Sequence, residues 1–285
     1  MAGNHTIGEL MAAAAARLAA SASEAPHLEA ELLLAHVLGK SRSRLKSHPE
    51  ETADAASGTR FGALIERRAA GEPLAYLLGY KDFWTLRLAV TPAVLIPRPE
   101  TELLVERALA LRDEADARVA DLGTGSGAIA LALAHERPRW EVTGTDVSDE
   151  ALAVARSNAT ALGQASVQWL RGSWFEPLGG RRFDLIVSNP PYIGADEPEL
   201  ATLRSEPRAA LSPGADALAC LRAIVLAAPD HLEHGGWLVL EHGSRQAADL
   251  ARELVARGFR HVRSHRDLAG HERAIEGQWG PSSNT

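Results

Sequence analysis

From Arg118 onward the sequence switches repeatedly between short apolar runs and amphipathic stretches, and that alternation restricts the architectures open to it. Apolar runs at 119–122, 142–145, 167–170, 185–187 and 237–240 each suit a buried strand. Between most of them, residues 128–136, 150–162 and 246–257 carry helical periodicity. Strands alternating with helices predict an α/β fold, doubly wound, with a mostly parallel sheet covered on both faces. Ligands of such sheets bind outside the carboxyl ends of the strands, so the residues that follow each strand carry the functional weight.

The first ~75 residues have a different texture and read as helices only. Ile7, Leu10, Met11, Ala14 and Leu18 recur at helical spacing, as do Leu28, Leu32, Ala35 and Leu38, with Gly39 as a stop signal. Phe61, Leu64, Ile65 and Arg68 continue the pattern until Gly71 and Pro73. Residues 83–90 suggest an extended segment, and Pro92, Pro97 and Pro99 then stiffen the chain by fixing φ and removing backbone donors. The expected organisation is a small helical bundle over 1–75, a linker with a β-hairpin over 76–97 and the α/β domain over 98–285. The tail at 281–285 reads as disordered.

Composition excludes several classes. No apolar run approaches the ~20 residues needed to cross a bilayer. The alanine-rich run at 11–20 is interrupted by Arg17, and the residues before it carry Glu9 but no Lys or Arg, so no signal peptide is expected. Cys220 is the only cysteine, which excludes an intrachain disulfide and a cysteine metal cluster; it reads as a small core hydrophobe. These features point to the cytoplasm. The formal net charge of −7 disfavours nucleic acid as a direct partner, although a local basic patch can hide in an acidic total. His231 and His234 have no carboxylate or cysteine at ligand spacing, and no metal site is expected.

Two segments carry the chemistry. Gly123, Thr124, Gly125, Ser126 and Gly127 follow Asp121-Leu122 at the end of the first strand and open a helix. Glycines there allow a tight turn and close approach of a ligand to the backbone, with free N–H groups at the helix start. The absence of Gly-Lys-Ser or Gly-Lys-Thr excludes an NTPase phosphate loop. The second strand ends at Asp146, 23 residues after Gly123, where a carboxylate suits the two hydroxyls of a ribose. The pair indicates a nucleoside cofactor and leaves nicotinamide and S-adenosylmethionine both open. The strand at 185–187 runs straight into Asn189-Pro190-Pro191-Tyr192. Asn189 offers a side-chain carbonyl and Pro190 a backbone carbonyl to a substrate N–H. Pro191 stiffens the loop, and Tyr192 can lie against a planar group. That combination suits methyl transfer to a planar amide or amine nitrogen.

The glycine loop with Asn189 to Tyr192 resembles methyltransferases acting on exocyclic or amide nitrogens, a motif pair shared with adenine-N6 enzymes of DNA and RNA. Further segments, namely residues 71–76, Phe83-Trp84, 95–102, 240–243, 266–273 and 28–34, resemble the bacterial release factor glutamine methyltransferases over nearly the whole chain. The resemblance implies a seven-stranded Rossmann-like methyltransferase sheet and S-adenosylmethionine as donor. It implies as substrate the Gly-Gly-Gln glutamine of class I peptide chain release factors, methylated at N5; a monomer is expected. It places Gly123, Thr124, Gly125, Ser126 and Gly127 along the methionine and ribose, Asp146 at the ribose and Trp174 at the adenine. Asn189 would touch cofactor and substrate, with Asn189, Pro190, Pro191 and Tyr192 clamping the glutamine. The chain departs from the family at Ser173, where members often carry Asp.

Other residues attract notice. Arg98, Glu100 and Thr101 follow the proline-rich turn and read as a cofactor closure, a domain latch or a helix start. Glu197, Glu199, Arg204, Glu206 and Arg208 read as a solvated face or a lid, and His242 and His271 as structural histidines. A nicotinamide oxidoreductase, an adenine-N6 methyltransferase and a catalytically silent binding module are the competing functions.

Overall fold

The computed structural model describes residues 5–21, 23–114 and 116–280; the tail read as disordered lies outside the described residues. The chain forms two units, one through Tyr80 and one from Lys81. No described helix is long and apolar enough to cross a membrane.

The first unit is helical: α1 (Ile7–Ala19), α2 (Pro26–Leu38), α3 (Arg42–Ser47), α4 (Ala55–Ala69) and α5 (Leu74–Leu78). A capping box starts α1, in which Glu9 N donates to Thr6 Oγ1 and Thr6 N donates to the Glu9 carboxylate. Gly39, left-handed at φ 62°, ends α2 where the sequence marks a stop. Ile7, Leu18, Leu33, Leu34, Leu45 and Phe61 meet in one apolar cluster. Arg68 on α4 forks onto both carboxylate oxygens of Glu29 on α2, at 2.9 and 3.0 Å. Helices α3 and α5 are too short to show a period, which is why the sequence does not announce them. Leu77 and Leu78 of α5 join the cluster, so the helical unit extends past residue 75.

A hairpin, β1 (Tyr80–Phe83) and β2 (Leu86–Ala89), leads into the second unit, turning at Trp84 with a left-handed φ of 56°. Then follow α6 (Glu102–Leu111), β3 (Arg118–Leu122), α7 (Ala128–Glu136), β4 (Glu141–Asp146), α8 (Asp149–Ala161), β5 (Gln168–Arg171) and β6 (Phe183–Ser188). The chain ends with α9 (Glu199–Thr202), α10 (Ala219–His231), β7 (Leu232–Glu241), α11 (Ala247–Arg257), β8 (Arg260–Arg266) and β9 (Glu272–Gln278). The seven-stranded sheet has the order β5-β4-β3-β6-β7-β9-β8, parallel from β5 to β7, with β9 antiparallel to both neighbours. The mostly parallel doubly wound sheet is as expected. Strand β8 escapes a search for apolar runs because it sits at the edge and is largely exposed.

Period-2 alternation divides the core. Val119, Leu185, Val187 and Val239 face α6 and α7, whereas Ala120, Leu122, Ile186, Leu238 and Leu240 face α10 and α11. The order reverses between β3 and β6, and there the Ser188 hydroxyl donates to the Leu122 carbonyl at 2.7 Å. Asn158 of α8, 2% exposed, is a polar side chain on an inward face. Its Oδ1 accepts from Ala89 N at 2.7 Å, while its Nδ2 donates to the carbonyls of Ala89 and Ser126 at 3.0 and 2.9 Å. It thereby ties the hairpin and the glycine loop to α8. Asn158→Ala should cost about 1–3 kcal/mol per buried polar group left unpaired; urea unfolding checks this, and an unchanged midpoint would contradict the tie.

Candidate active site

The turn after β3 is built by backbone geometry. Gly123 and Gly127 have left-handed φ values of 71° and 83°. A Cβ at Gly127 would lie 2.9 Å from Trp169 Cη2, and one at Gly123 would lie 3.2 Å from Trp174 Cζ3. Both positions therefore need glycine for space as well as for φ. Trp174 is itself left-handed at φ 45°, a strained conformation for a bulky residue, held in part by the Thr145 hydroxyl donating to its carbonyl at 3.0 Å.

Asp146, at the end of β4, accepts Gly125 N on Oδ2 and Ser148 N on Oδ1, both at 2.9 Å. Each oxygen keeps a second lone pair for a ligand hydroxyl. Asp121 lies deeper, at 1% exposure; its Oδ2 accepts from Thr124 Oγ1 at 2.6 Å and Ala130 N at 3.2 Å. Burial pushes the Asp121 carboxyl up to about 7, against those two hydrogen bonds and with some help from the charge of Asp146.

A cavity of about 350 Å³ opens over this turn, within the size range of small-molecule sites. Gly123, Gly125, Asp146, Trp174, Asn189 and Pro191 line it, and so do Ser173 and Cys220. Thr124, Ser126 and Gly127 do not reach the wall. They support the loop instead, through Asp121, Asn158 and Trp169 respectively. Cys220 is half-buried at the cavity rather than closed in the core, and burial pushes its thiol up.

A second cavity of about 60 Å³ shares Leu95, Asn189 and Ala210 with the first. Its walls also include Arg98, Pro190, Tyr192 and Glu241. Asn189 thus stands between the two spaces. Pro191 faces the larger one and Pro190 and Tyr192 the smaller, so the four residues of the expected clamp divide between them. Behind the loop, Asn189 Nδ2 donates to Thr101 Oγ1 at 3.1 Å. Thr101 Oγ1 donates to Glu241 Oε2 at 2.7 Å, and the Tyr192 hydroxyl donates to Glu241 Oε1 at 3.0 Å. Burial, with the negative charge of Glu241, holds the Tyr192 phenol above its ordinary range, so it stays a hydroxyl. Gln246 Nε2 fixes the loop further by donating to the Tyr192 carbonyl at 3.0 Å.

Two further segments line the larger cavity, residues 93–95 and, from 207–210, Pro207, Ala209 and Ala210. Glu206 joins them: it accepts Ile96 N at 3.0 Å and pairs with Arg98. Glu206 is 8% exposed, so the charge run after the 189–192 loop is not simply a solvated face.

The chain is similar to known proteins over most of its length. Family models described as "PrmC N-terminal domain" and "Methyltransferase small domain" match residues 9–79 and 99–205. A Release factor glutamine methyltransferase of Pseudomonas aeruginosa is 51% identical over 90% of this chain and 94% of the relative. One of Vibrio cholerae is 46% identical over 96% and 97%. The chain belongs to the release factor glutamine methyltransferase family. A methyltransferase of Pyrococcus furiosus shares the fold, at TM-score 0.55 and 19% identity over 77% of this chain and 98% of that one.

Within this family framework the remaining residues fall into place. His242 is fully buried, with Nδ1 2.8 Å from the Gly243 carbonyl, and burial pushes its pKa down. His231 stacks on Phe175 at 4.6 Å. Among the described residues no group of His, Cys, Asp and Glu could hold a metal ion. The part played by Glu241 is not apparent from the sequence. The available signal is a charge that directly follows the apolar run 237–240 at the end of β7, on the side of the sheet where ligands gather.

Asp121 gives a testable pH dependence. Its folded pKa lies above the ordinary 3.8, so its protonated form favours the fold. That contribution is present below 3.8 and is lost as pH rises towards about 7. Asp121→Asn cannot ionise, so its melting temperature relative to the native protein should rise across that window and level off above it. Parallel melting profiles would contradict this.

Proposed function

We propose that this protein methylates the side-chain amide nitrogen, N5, of the glutamine in the Gly-Gly-Gln motif of class I peptide chain release factors, with S-adenosylmethionine as donor. The observation that carries the reading is the place of Asn189 between two adjoining cavities, in a chain whose relatives of matching length bear that name.

The residues of the larger cavity fit the donor. Gly123 and Gly125 leave the floor free of side chains, Asp146 keeps lone pairs for two ribose hydroxyls, and Trp174 provides a flat apolar face. Ser173 stands where relatives often carry Asp, and its hydroxyl or a neighbouring carbonyl takes over the adenine amino contact. Thr124, Ser126 and Gly127 shape the loop from below. Bound S-adenosylmethionine supplies an electrophilic methyl carbon.

The task left to the protein is alignment. An amide nitrogen is a poor nucleophile because its lone pair is delocalised into the carbonyl. Accepting hydrogen bonds from its N–H groups holds the nitrogen in place and supports the positive charge that grows on it. Asn189 Oδ1 and the Pro190 carbonyl serve as those acceptors, and Tyr192 walls the amide plane. No strong base is required, since a methylated amide nitrogen is acidic and sheds its proton readily. Tyr192, held as a phenol, is not that base.

On this reading the helical unit recognises the release factor, and the protein works as a monomer in the cytoplasm on a protein rather than on nucleic acid. The test is incubation with labelled S-adenosylmethionine and a release factor, followed by mass analysis of the Gly-Gly-Gln peptide. One added methyl on the glutamine is expected; an unmodified peptide refutes the proposal. Asn189→Ala should lower kcat by about 100-fold or more, the scale of a lost alignment, and near-native turnover would count against the clamp.

A further inference from the structure

The Asn189 amide has two ends of opposite character, and only its carbonyl can accept from a substrate N–H. Which end faces the substrate is decided on the far side of the loop. Thr101 Oγ1 has a single proton and gives it to Glu241 Oε2 at 2.7 Å. With that proton engaged, Oγ1 has only lone pairs left for Asn189. Asn189 must therefore present its amino group to Thr101, and it does so at 3.1 Å. Its Oδ1 is the end left for the cavities.

The arrangement is sheltered from water. Thr101 is 4% and Glu241 2% exposed, so solvent cannot stand in for a missing partner. Glu241 lies at the end of β7, Thr101 immediately precedes α6, and Asn189 follows β6, so three rigid elements meet through two hydrogen bonds. The second oxygen of Glu241 is held by the Tyr192 hydroxyl. A Glu241 carboxylate has no proton to return, so both hydroxyls donate to it and the Thr101 proton is committed to Oε2.

We propose that Thr101, held by Glu241, is a positioning residue that fixes the direction of the Asn189 amide for methyl transfer. The inference rests on the glutamine reading above. A reversed amide would set an amino group against the amino group of the substrate, donor against donor, and lose the alignment.

The test compares Thr101→Val and Thr101→Ser, in the native background and with Asn189→Ala. It measures kcat on a release factor, S-adenosylhomocysteine affinity by calorimetry, and melting temperature. Thr101→Val should lower kcat by about 10- to 100-fold, with affinity within about twofold, and Thr101→Ser should restore most of the loss. Combined with Asn189→Ala, Thr101→Val should cost nothing further, because it acts through that residue. If the Val variant does not fold, Thr101→Ala, which leaves more room, replaces it in the same cycle. An active native enzyme with unaffected Thr101→Val, or an equal loss in both backgrounds, overturns the positioning role alone. A native enzyme that leaves the glutamine unmodified overturns the glutamine reading and this inference with it.

Discussion

The chain leaves β3 and β6 towards opposite faces of the sheet, α7 packing on one side and α10 on the other, and the gap between these departures is where both cavities lie. Parallel strands oblige the chain to leave every strand at the same edge, so the glycine turn, Asp146, the Asn189 loop and Glu241 all gather there. The Ser188 hydroxyl on the Leu122 carbonyl holds the two strand ends together at that gap. The glycine turn can then approach a ligand with its backbone, and Asn189 is the residue directly after Ser188, the last ladder contact of β6.

Rigidity at the site has several sources. Trp174 keeps a left-handed backbone that would cost about 1–3 kcal/mol if left to itself, and the Thr145 hydroxyl and the bare Cα of Gly123 accommodate it. Asn189 and Tyr192 hang from one buried carboxyl through two hydroxyls. The segments 93–95 and 207–210 are linked through Glu206. A reaction that depends on holding a weak nucleophile in line benefits from such pre-set geometry, because little remains to be ordered when the substrate arrives.

Much of this was legible from residue order. The alternation of apolar runs with amphipathic stretches specified the parallel sheet, and Gly39 marked the end of α2. The glycine loop, Asp146 and Asn189 fell where strands end, which is the one place a sequence reading of this fold can search with profit. What escaped it depends on distance in space. Thr101, Asn189 and Glu241 are joined across 88 and 140 residues of chain, and no local pattern announces such a bond. Glu206 sits in a charge run whose composition suggests solvent, and only the backbone N–H of Ile96 and the Arg98 guanidinium explain its burial. Thr124, Ser126 and Gly127 belong to the same loop but are held from below, by Asp121, Asn158 and Trp169, and do not line the cavity, a distinction that spacing cannot make.

A crystal structure with S-adenosylhomocysteine and a Gly-Gly-Gln peptide is the most direct test. The glutamine side-chain nitrogen should lie about 3 Å from Asn189 Oδ1, with Asn189 Nδ2 still on Thr101. A glutamine amide bound away from Asn189, or facing its amino group, would contradict the account.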